Sequence, residues 1–485
     1  MMKLIVTKKR ETFKCDPTRV IARFYKPGSE DRIRNIFKRV LGLAKEECKT
    51  ILTDVLTDFA NRHYDIERIF LESYERIKVS PPGYDQLSKE QMLLLGAYFT
   101  KEYSIESTAL FNPSMVPHPD QSNLSSGSQR FILSFRAIGE GHISSIVFRS
   151  GVIDAKNNLI MDSVSPYAVR PAFELYPEYD RHTVVTQIKK IVERIEEDLG
   201  GIDRIEFPEK SENIAEKIDK TQIIVDNLGR ETRDMMKWLA KSDYEITFDD
   251  STAISERVIF PVVSREKNGI EDARFVRFTD DNGDVRYFAT YTAYCGHGIL
   301  PMLLETKDFL KFKMCALNGR GALNKGMALF PRKVNGRYMM ISRQDGENTY
   351  TMQSDNVHFW DEVKQLDSPQ YSWEFFQIGN CGSPIETEKG WLLLTHGVGP
   401  MRTYCIGIEL LDINDPARVI AKLEEPLIIP RESEREGYVP NVVYSCGGML
   451  HGETLVIPYG VSDTSSRVAT VELAPLFECL LSSKK

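Results

Sequence analysis

The sequence predicts a mainly β protein with helical additions, and three observations lead there. From Asp16 to about Lys101 apolar residues recur at spacings of three and four, the period of amphipathic helices. From Ala109 onward the chain breaks into short apolar runs rich in β-branched and aromatic residues, separated by Gly, Asn, Asp and Pro. Between about Asp180 and Lys241 this β texture gives way to a helical period rich in Lys and Glu. The expected organisation is an N-terminal helical extension over residues 1–105 and a β domain over 106–485, with a helical insertion at about 180–242.

Taken in order, Ile33, Ile36, Phe37, Val40 and Leu41 mark one helix, and Ile51, Leu52, Val55, Leu56 and Phe59 a second. Pro81-Pro82-Gly83 breaks the pattern, and a short helix from about Ser88 to Tyr103 follows around Leu93, Leu94 and Leu95. Arg130 to Phe135 and Ile143 to Phe148 read as strands, and Val184, Ile188, Ile191 and Ile195 as part of the helical insertion. After Tyr244 strands resume and run almost to the C-terminus, with turns at Asp281-Asn282-Gly283-Asp284, Asn335-Gly336 and Glu388-Lys389-Gly390. Sandwich, barrel and propeller all suit many short strands; roughly 300 strand-bearing residues are long for a sandwich and fit a propeller. No strict WD or kelch period is present.

Composition excludes several classes. A chain of 485 residues holds about three ordinary domains, and 42% hydrophobic with 27% charged residues is globular rather than disordered. Sixty-two Lys and Arg against 70 Asp and Glu leave a net charge of −8, which argues against nucleic acid as a partner. No run approaches the roughly eighteen apolar residues of a membrane span, and Met1 to Arg10 holds too short an apolar core for a secretory signal. A cytoplasmic protein with no membrane partner is expected. Eight cysteines without CxxC spacing point to reduced thiols, and eight dispersed histidines to no metal site. Phosphate-loop, dinucleotide, HExxH and GxSxG motifs are absent, so no cofactor is expected.

Polar clusters at strand ends carry what chemistry there is. They are Asn112-Pro113-Ser114; Phe135-Arg136; Gly269-Ile270-Glu271-Asp272-Ala273-Arg274; Asn324-Lys325-Gly326 leading to Leu329-Phe330-Pro331; Ser342-Arg343; Pro384-Ile385-Glu386-Thr387 before Gly390-Trp391-Leu392; His396-Gly397-Val398; Val439-Pro440-Asn441-Val442-Val443; and Tyr459-Gly460 before Asp463. Alone, the Glu271-Asp272-x-Arg274 group reads as a surface ion pair. Lys325 and Arg343 flank a predicted hairpin, so both cations can face one place.

In this order the clusters resemble glycoside hydrolase family 130, the mannoside phosphorylases and related mannosidases, over about Ala109 to Leu473 outside the insertion. The resemblance implies a five-bladed β-propeller, and the helical additions look like those of longer members associated with β-1,2-linked mannan. It implies Asp272 as the single catalytic acid, with Arg274 in the same motif. It implies Lys325, Arg343 and His396 as holders of phosphate, and Asn112, Arg136 and Asp463 as holders of the mannose being transferred, with Arg274 and Glu386 also expected to bind substrate. In the family the acid is thought to act through the sugar 3-hydroxyl. Where many family phosphorylases have Pro-Ile-Lys-Thr, this sequence has Glu386, which would repel phosphate; Arg402 is a candidate replacement cation.

An inverting hydrolase needs an acid and a base, about 6.5–9.5 Å apart, to activate water. Inorganic phosphate is already an anionic nucleophile, so a cationic cradle can replace the base. The leading reading is therefore inverting phosphorolysis, and reverse synthesis, of β-1,2-mannooligosaccharides, giving α-mannose 1-phosphate. Its partners would be the mannooligosaccharide and phosphate. Asp272 is expected to have a raised pKa, through burial or Glu271, with Arg274 opposing. Tyr291, Tyr294, Trp373 and Tyr438 are candidate sugar-stacking residues. The rivals are a β-1,2-mannosidase with Glu386 or another carboxylate as base, a nucleotide-sugar mannosyltransferase, and a non-catalytic glycan- or protein-binding propeller. The helical additions would cover a propeller edge or make a homo-oligomer interface.

Overall fold

The computed structural model describes residues 4–77, 87–175, 243–296 and 298–482. The expected helical insertion lies outside the described residues, as does the Pro81-Pro82-Gly83 break. The described chain is mainly β, and no described helix is long and apolar enough to cross a membrane.

The N-terminal region holds four helices, α1 (Glu30–Leu41), α2 (Lys45–Phe59), α3 (Ile66–Glu75) and α4 (Lys89–Tyr98). Ser29 Oγ accepts from the Arg32 amide at the start of α1, and Ser88 with Gln91 makes a capping box on α4. Ile33, Phe37 and Val40 pack with Leu94, Leu95 and Phe99 in one core. The helix predicted from Ser88 ends at Tyr98, because Thr100–Ser104 pairs as a strand with Val20–Phe24.

One correction concerns residues 7–13, which the sequence assigned to the helical extension. Thr7–Phe13 is a strand paired antiparallel with Ser465–Glu472, Thr7 opposite Thr470 and Phe13 opposite Ser466. Its run of Lys8, Lys9, Arg10 and Glu11 hides the alternation, and such charge is tolerated at a sheet edge. At the other end the strands run to Glu472, and α5 (Leu473–Ser482) follows them and buries Leu473, Leu476, Phe477 and Leu480.

The β region is a succession of antiparallel meanders. Ala109–Pro117, Gln129–Ile138 and Ser144–Ile153 form the first, and Gly269–Thr279, Val285–Tyr294, Ile299–Thr306 and Lys311–Ala316 the next. Ala328–Leu329 opens a third and Gln377–Asn380 a fourth, and the last contains Val443–Tyr444 and Thr454–Val461. Hydrogen bonds join each meander to its neighbours. The Phe275 amide donates to Ser114 Oγ at 3.0 Å, and the Thr279 amide to the Pro331 carbonyl at 2.9 Å. Further links run from the Ile378 amide to the Glu347 carbonyl at 2.9 Å, from Tyr404 to Asn441 at 3.0 Å, and from Cys446 to Pro113 at 2.9 Å.

A buried ionic node joins the extension to the β region. Glu106 accepts from Arg19 and, at 2.9 and 3.0 Å, from Arg149, while Arg19 also donates to the Ser255 carbonyl. Arg19 and Glu106 are fully buried, so breaking the set strands a charge away from water. Glu106→Gln is expected to destabilise the protein by about 3–5 kcal/mol, read as a fall in the denaturation midpoint; an unchanged midpoint would contradict this.

Candidate active site

Two β-bulges create the centre of the site. The register of Gly269–Thr279 against its neighbour shifts between Glu271 and Arg274, and that of Ala109–Pro117 shifts between Phe111 and Ser114. Asp272 and Asn112, inside these shifts, have left-handed backbones with φ of 53° and 49°. Bulges re-aim side chains, and non-glycine residues hold such conformations only where the surroundings enforce them. Here the two face each other: Asn112 Nδ2 donates to Asp272 Oδ1 at 2.8 Å.

Cations surround this pair. Arg136 Nη2 donates to Glu271 Oε1 at 2.6 Å, and its Nη1 lies 3.5 Å from Asp272 Oδ1. Lys325 Nζ is 3.8 Å from Glu271 Oε2. Arg274 donates through Nη2 to the Tyr444 hydroxyl at 2.6 Å. Gly326, at φ 91°, brings the Lys325 loop close: a Cβ there would lie 3.2 Å from Arg343 Nε and 3.6 Å from Arg274 Nη2. Arg343 Nη1 is 3.4 Å from His396 Nε2. Asn112 Oδ1, Arg274 Nε and Arg343 Nε are buried without a hydrogen-bond partner among the described residues, so the cluster has unused capacity for a polar ligand.

The electrostatics differ from the sequence expectation. Burial pushes the Asp272 carboxyl up, but Arg136, Arg274, Lys325 and the Asn112 hydrogen bond outweigh it and hold the group below its ordinary value. Asp272 is therefore a carboxylate in the free protein. Asp463 behaves oppositely: burial, then the Asp272 charge, pushes it up to about 6 against Arg136 and Lys325. Burial, then Arg343 and Arg274, holds His396 well below its ordinary value, so its imidazole is neutral.

The structure thus gathers Asn112, Arg136, Asp272, Arg274, Lys325, Arg343, His396 and Asp463. It does not bring Glu386 to them. Glu386 accepts from Arg332 Nε at 2.8 Å. With Pro117, Thr279, Pro331 and Leu450 it lines a separate cavity of about 400 Å³ formed by the far ends of the same first strands. Arg402 is exposed in the turn that follows the strand of His396. Of the candidate stacking residues, Tyr291 is buried and donates to Glu266 at 2.9 Å. Trp373 packs on Gly397 and Gly407 with its Nε1 donating to the Glu424 carbonyl at 2.9 Å. Tyr444, against both Arg274 and the His396 ring, escaped the sequence reading; its only signal was its place directly after the Val439–Val443 motif.

The sequence model of glycoside hydrolase family 130, described as β-1,4-mannooligosaccharide phosphorylase, matches residues 233–481, just over half of the chain. The chain belongs to this family. As a member it is an enzyme, a glycoside phosphorylase. A 1,2-β-oligomannan phosphorylase of Thermoanaerobacter sp. (strain X514) is 31% identical over 249 residues, covering 49% of this chain and 80% of that protein. A β-1,2-mannobiose phosphorylase of the same organism is 32% identical over 251 residues, covering 49% and 78%. Among solved structures, the β-1,2-mannobiose phosphorylase of Listeria innocua in complex with β-1,2-mannobiose is 21% identical, with a TM-score of 0.47, covering 79% of this chain and 94% of that one.

The family 130 enzyme holds two carboxyls pushed in opposite directions, and the coupling between them is testable. Asp272→Asn removes a negative charge beside Asp463, so the Asp463 pKa is expected to fall toward the ordinary carboxylate range. Carboxyl-labelled aspartate NMR, assigned with Asp463→Asn, reads this; an unmoved Asp463 would contradict the charge map.

Proposed function

We propose that the enzyme phosphorolyses β-1,2-linked mannooligosaccharides with inversion, releasing α-mannose 1-phosphate, and runs in reverse to extend the glycan. The observation that carries this reading is the crowding of Arg274, Lys325, Arg343 and a neutral His396 around one carboxylate, Asp272. This is a charge pattern suited to an anionic nucleophile rather than to water. The β-1,2-mannan names of the relatives supply the linkage. A five-bladed propeller fits the succession of antiparallel meanders joined to one another by hydrogen bonds, with Thr7–Phe13 completing the last sheet.

In this mechanism Asn112, Arg136 and Asp463 hold the mannose ring to be transferred. Phosphate lies against Lys325, Arg343 and His396. A phosphate oxygen forms the new bond to C1 as the glycosidic C1–O bond breaks on the opposite face. The leaving oxygen takes a proton that originates on Asp272, directly or through the sugar 3-hydroxyl, and Asp272 returns to its carboxylate. Because cations hold Asp272 ionised in the free protein, bound phosphate has a second effect. Its negative charge offsets Arg274 and Lys325 and favours the protonated acid, so the co-substrate prepares its own proton donor. No further cofactor enters the scheme.

The hydrolytic rival would use Glu386 or another carboxylate as base, and the pairing of Glu386 with Arg332 at the far ends of the strands disfavours the first of these. Cleavage of β-1,2-mannobiose is expected to require phosphate and to yield α-mannose 1-phosphate, followed by 31P NMR. Asp272→Asn should lower kcat by roughly 10²–10⁴-fold, while Glu386→Gln leaves phosphorolysis nearly unchanged. Release of free mannose at the same rate without phosphate would overturn the proposal.

A further inference from the structure

Beyond the cluster itself, two exposed rings on neighbouring segments serve no catalytic role. Tyr438 is 69% exposed, and its ring centroid lies 5.9 Å from that of the exposed His142 at an interplanar angle of 32°. Neither ring belongs to a core cluster, yet both are held in place. The Tyr438 amide donates to Thr464 Oγ1 at 3.1 Å and the Val439 amide to the Ser462 carbonyl at 3.2 Å. These bonds clamp the Tyr438 segment onto the turn that carries Asp463, where Ser462 and Asp463 have left-handed backbones with φ of 46° and 50°.

His142 is fixed from the other side. It closes the turn after Gln129–Ile138, the strand of Arg136, with φ of 71° at Gly141 and 60° at His142. The N-terminal extension braces this turn: the Tyr103 hydroxyl donates to the Glu140 carbonyl at 2.8 Å, and Lys101 Nζ lies 2.9 Å from Glu140 Oε1. One ring thus stands on a segment bonded to the residues on either side of Asp463, and the other in the turn six residues after Arg136.

We propose that Tyr438 and His142 form an aromatic platform that stacks on a sugar ring of the leaving-group side of the oligosaccharide. This rests on the mannoside phosphorylase reading. A glycan whose terminal ring occupies the Asp272 cluster must leave it over the rim. The apolar face of a pyranose matches an exposed phenol ring, which offers large contact area at low entropic cost. Tyr438 and His142 are thus specificity residues for chain length, and Tyr103 is a positioning residue that steadies the His142 turn.

The test is calorimetric titration of the full-length protein, without phosphate, by β-1,2-mannotriose and by methyl mannoside. Tyr438→Ala is expected to weaken mannotriose roughly tenfold, the scale of one aromatic stacking contact, and to leave methyl mannoside within about twofold. Tyr438→Phe should retain wild-type affinity, because the ring and not the hydroxyl acts; Tyr103→Phe should weaken mannotriose only partly. Unchanged mannotriose binding in Tyr438→Ala, with wild-type protein active on mannobiose, overturns the platform alone. A wild type that binds no mannoside overturns the platform and the functional reading together. A change of oligomeric state in Tyr438→Ala, seen by sedimentation, would instead assign the rings to contact with a second copy and overturn the proposal.

Discussion

A carboxylate buried among arginines is stable only where the backbone delivers it to them, and the bulges at Asn112 and Asp272 are the delivery. Each puts a short polar side chain into a left-handed conformation in one of two adjacent first strands, so that the amide of one meets the carboxylate of the other. The remaining groups are fixed relative to that contact. Arg136 bridges Asp272 and Glu271, Lys325 approaches Glu271, and Arg274 is steadied by Tyr444. Gly326 is needed because any side chain there would crowd the Arg343 and Arg274 guanidiniums. Removing the Asp272 carboxylate would leave the cations facing one another with less negative charge between them.

The same arrangement explains how one site separates two aspartates. Asp272 has cations on several sides and a hydrogen-bond donor on one oxygen, so its charged form is favoured despite burial. Asp463 shares the low-dielectric setting and has Asp272 as a negative neighbour, so its neutral form gains. Two carboxyls of the same residue type thus differ because of which strand end each occupies. Neutral His396 follows the same logic: it is buried, and next to Arg343 and Arg274 a third positive charge on the imidazole is unfavourable.

Much of this was legible in the sequence because it is local. Asn112-Pro113-Ser114, Glu271-Asp272-Ala273-Arg274 and Asn324-Lys325-Gly326 are contiguous clusters at predicted strand ends, and their order carried the resemblance. The missing information was mostly non-local. Bulges change register against a partner strand, which residue order does not record, so the ionised state of Asp272 depended on Arg136 and Lys325 arriving from elsewhere. Glu386 lies only ten residues before His396, but it pairs with Trp391 near the start of the strand Gly390–Val398, and five residues of extended chain, about 17 Å, separate Trp391 from His396. Neighbours in sequence therefore serve opposite ends. The strand Thr7–Phe13 was hidden by its charge, which an edge position accommodates.

Phosphorolysis here needs cations shared between Asp272 and an incoming anion, and direct titration of inorganic phosphate into the free enzyme tests that most closely. Phosphate should bind with one-to-one stoichiometry, more tightly to Asp272→Asn than to wild type because the carboxylate no longer competes for the cations, and weakly or not at all to Arg343→Ala. Phosphate affinity that is the same in all three proteins would contradict it.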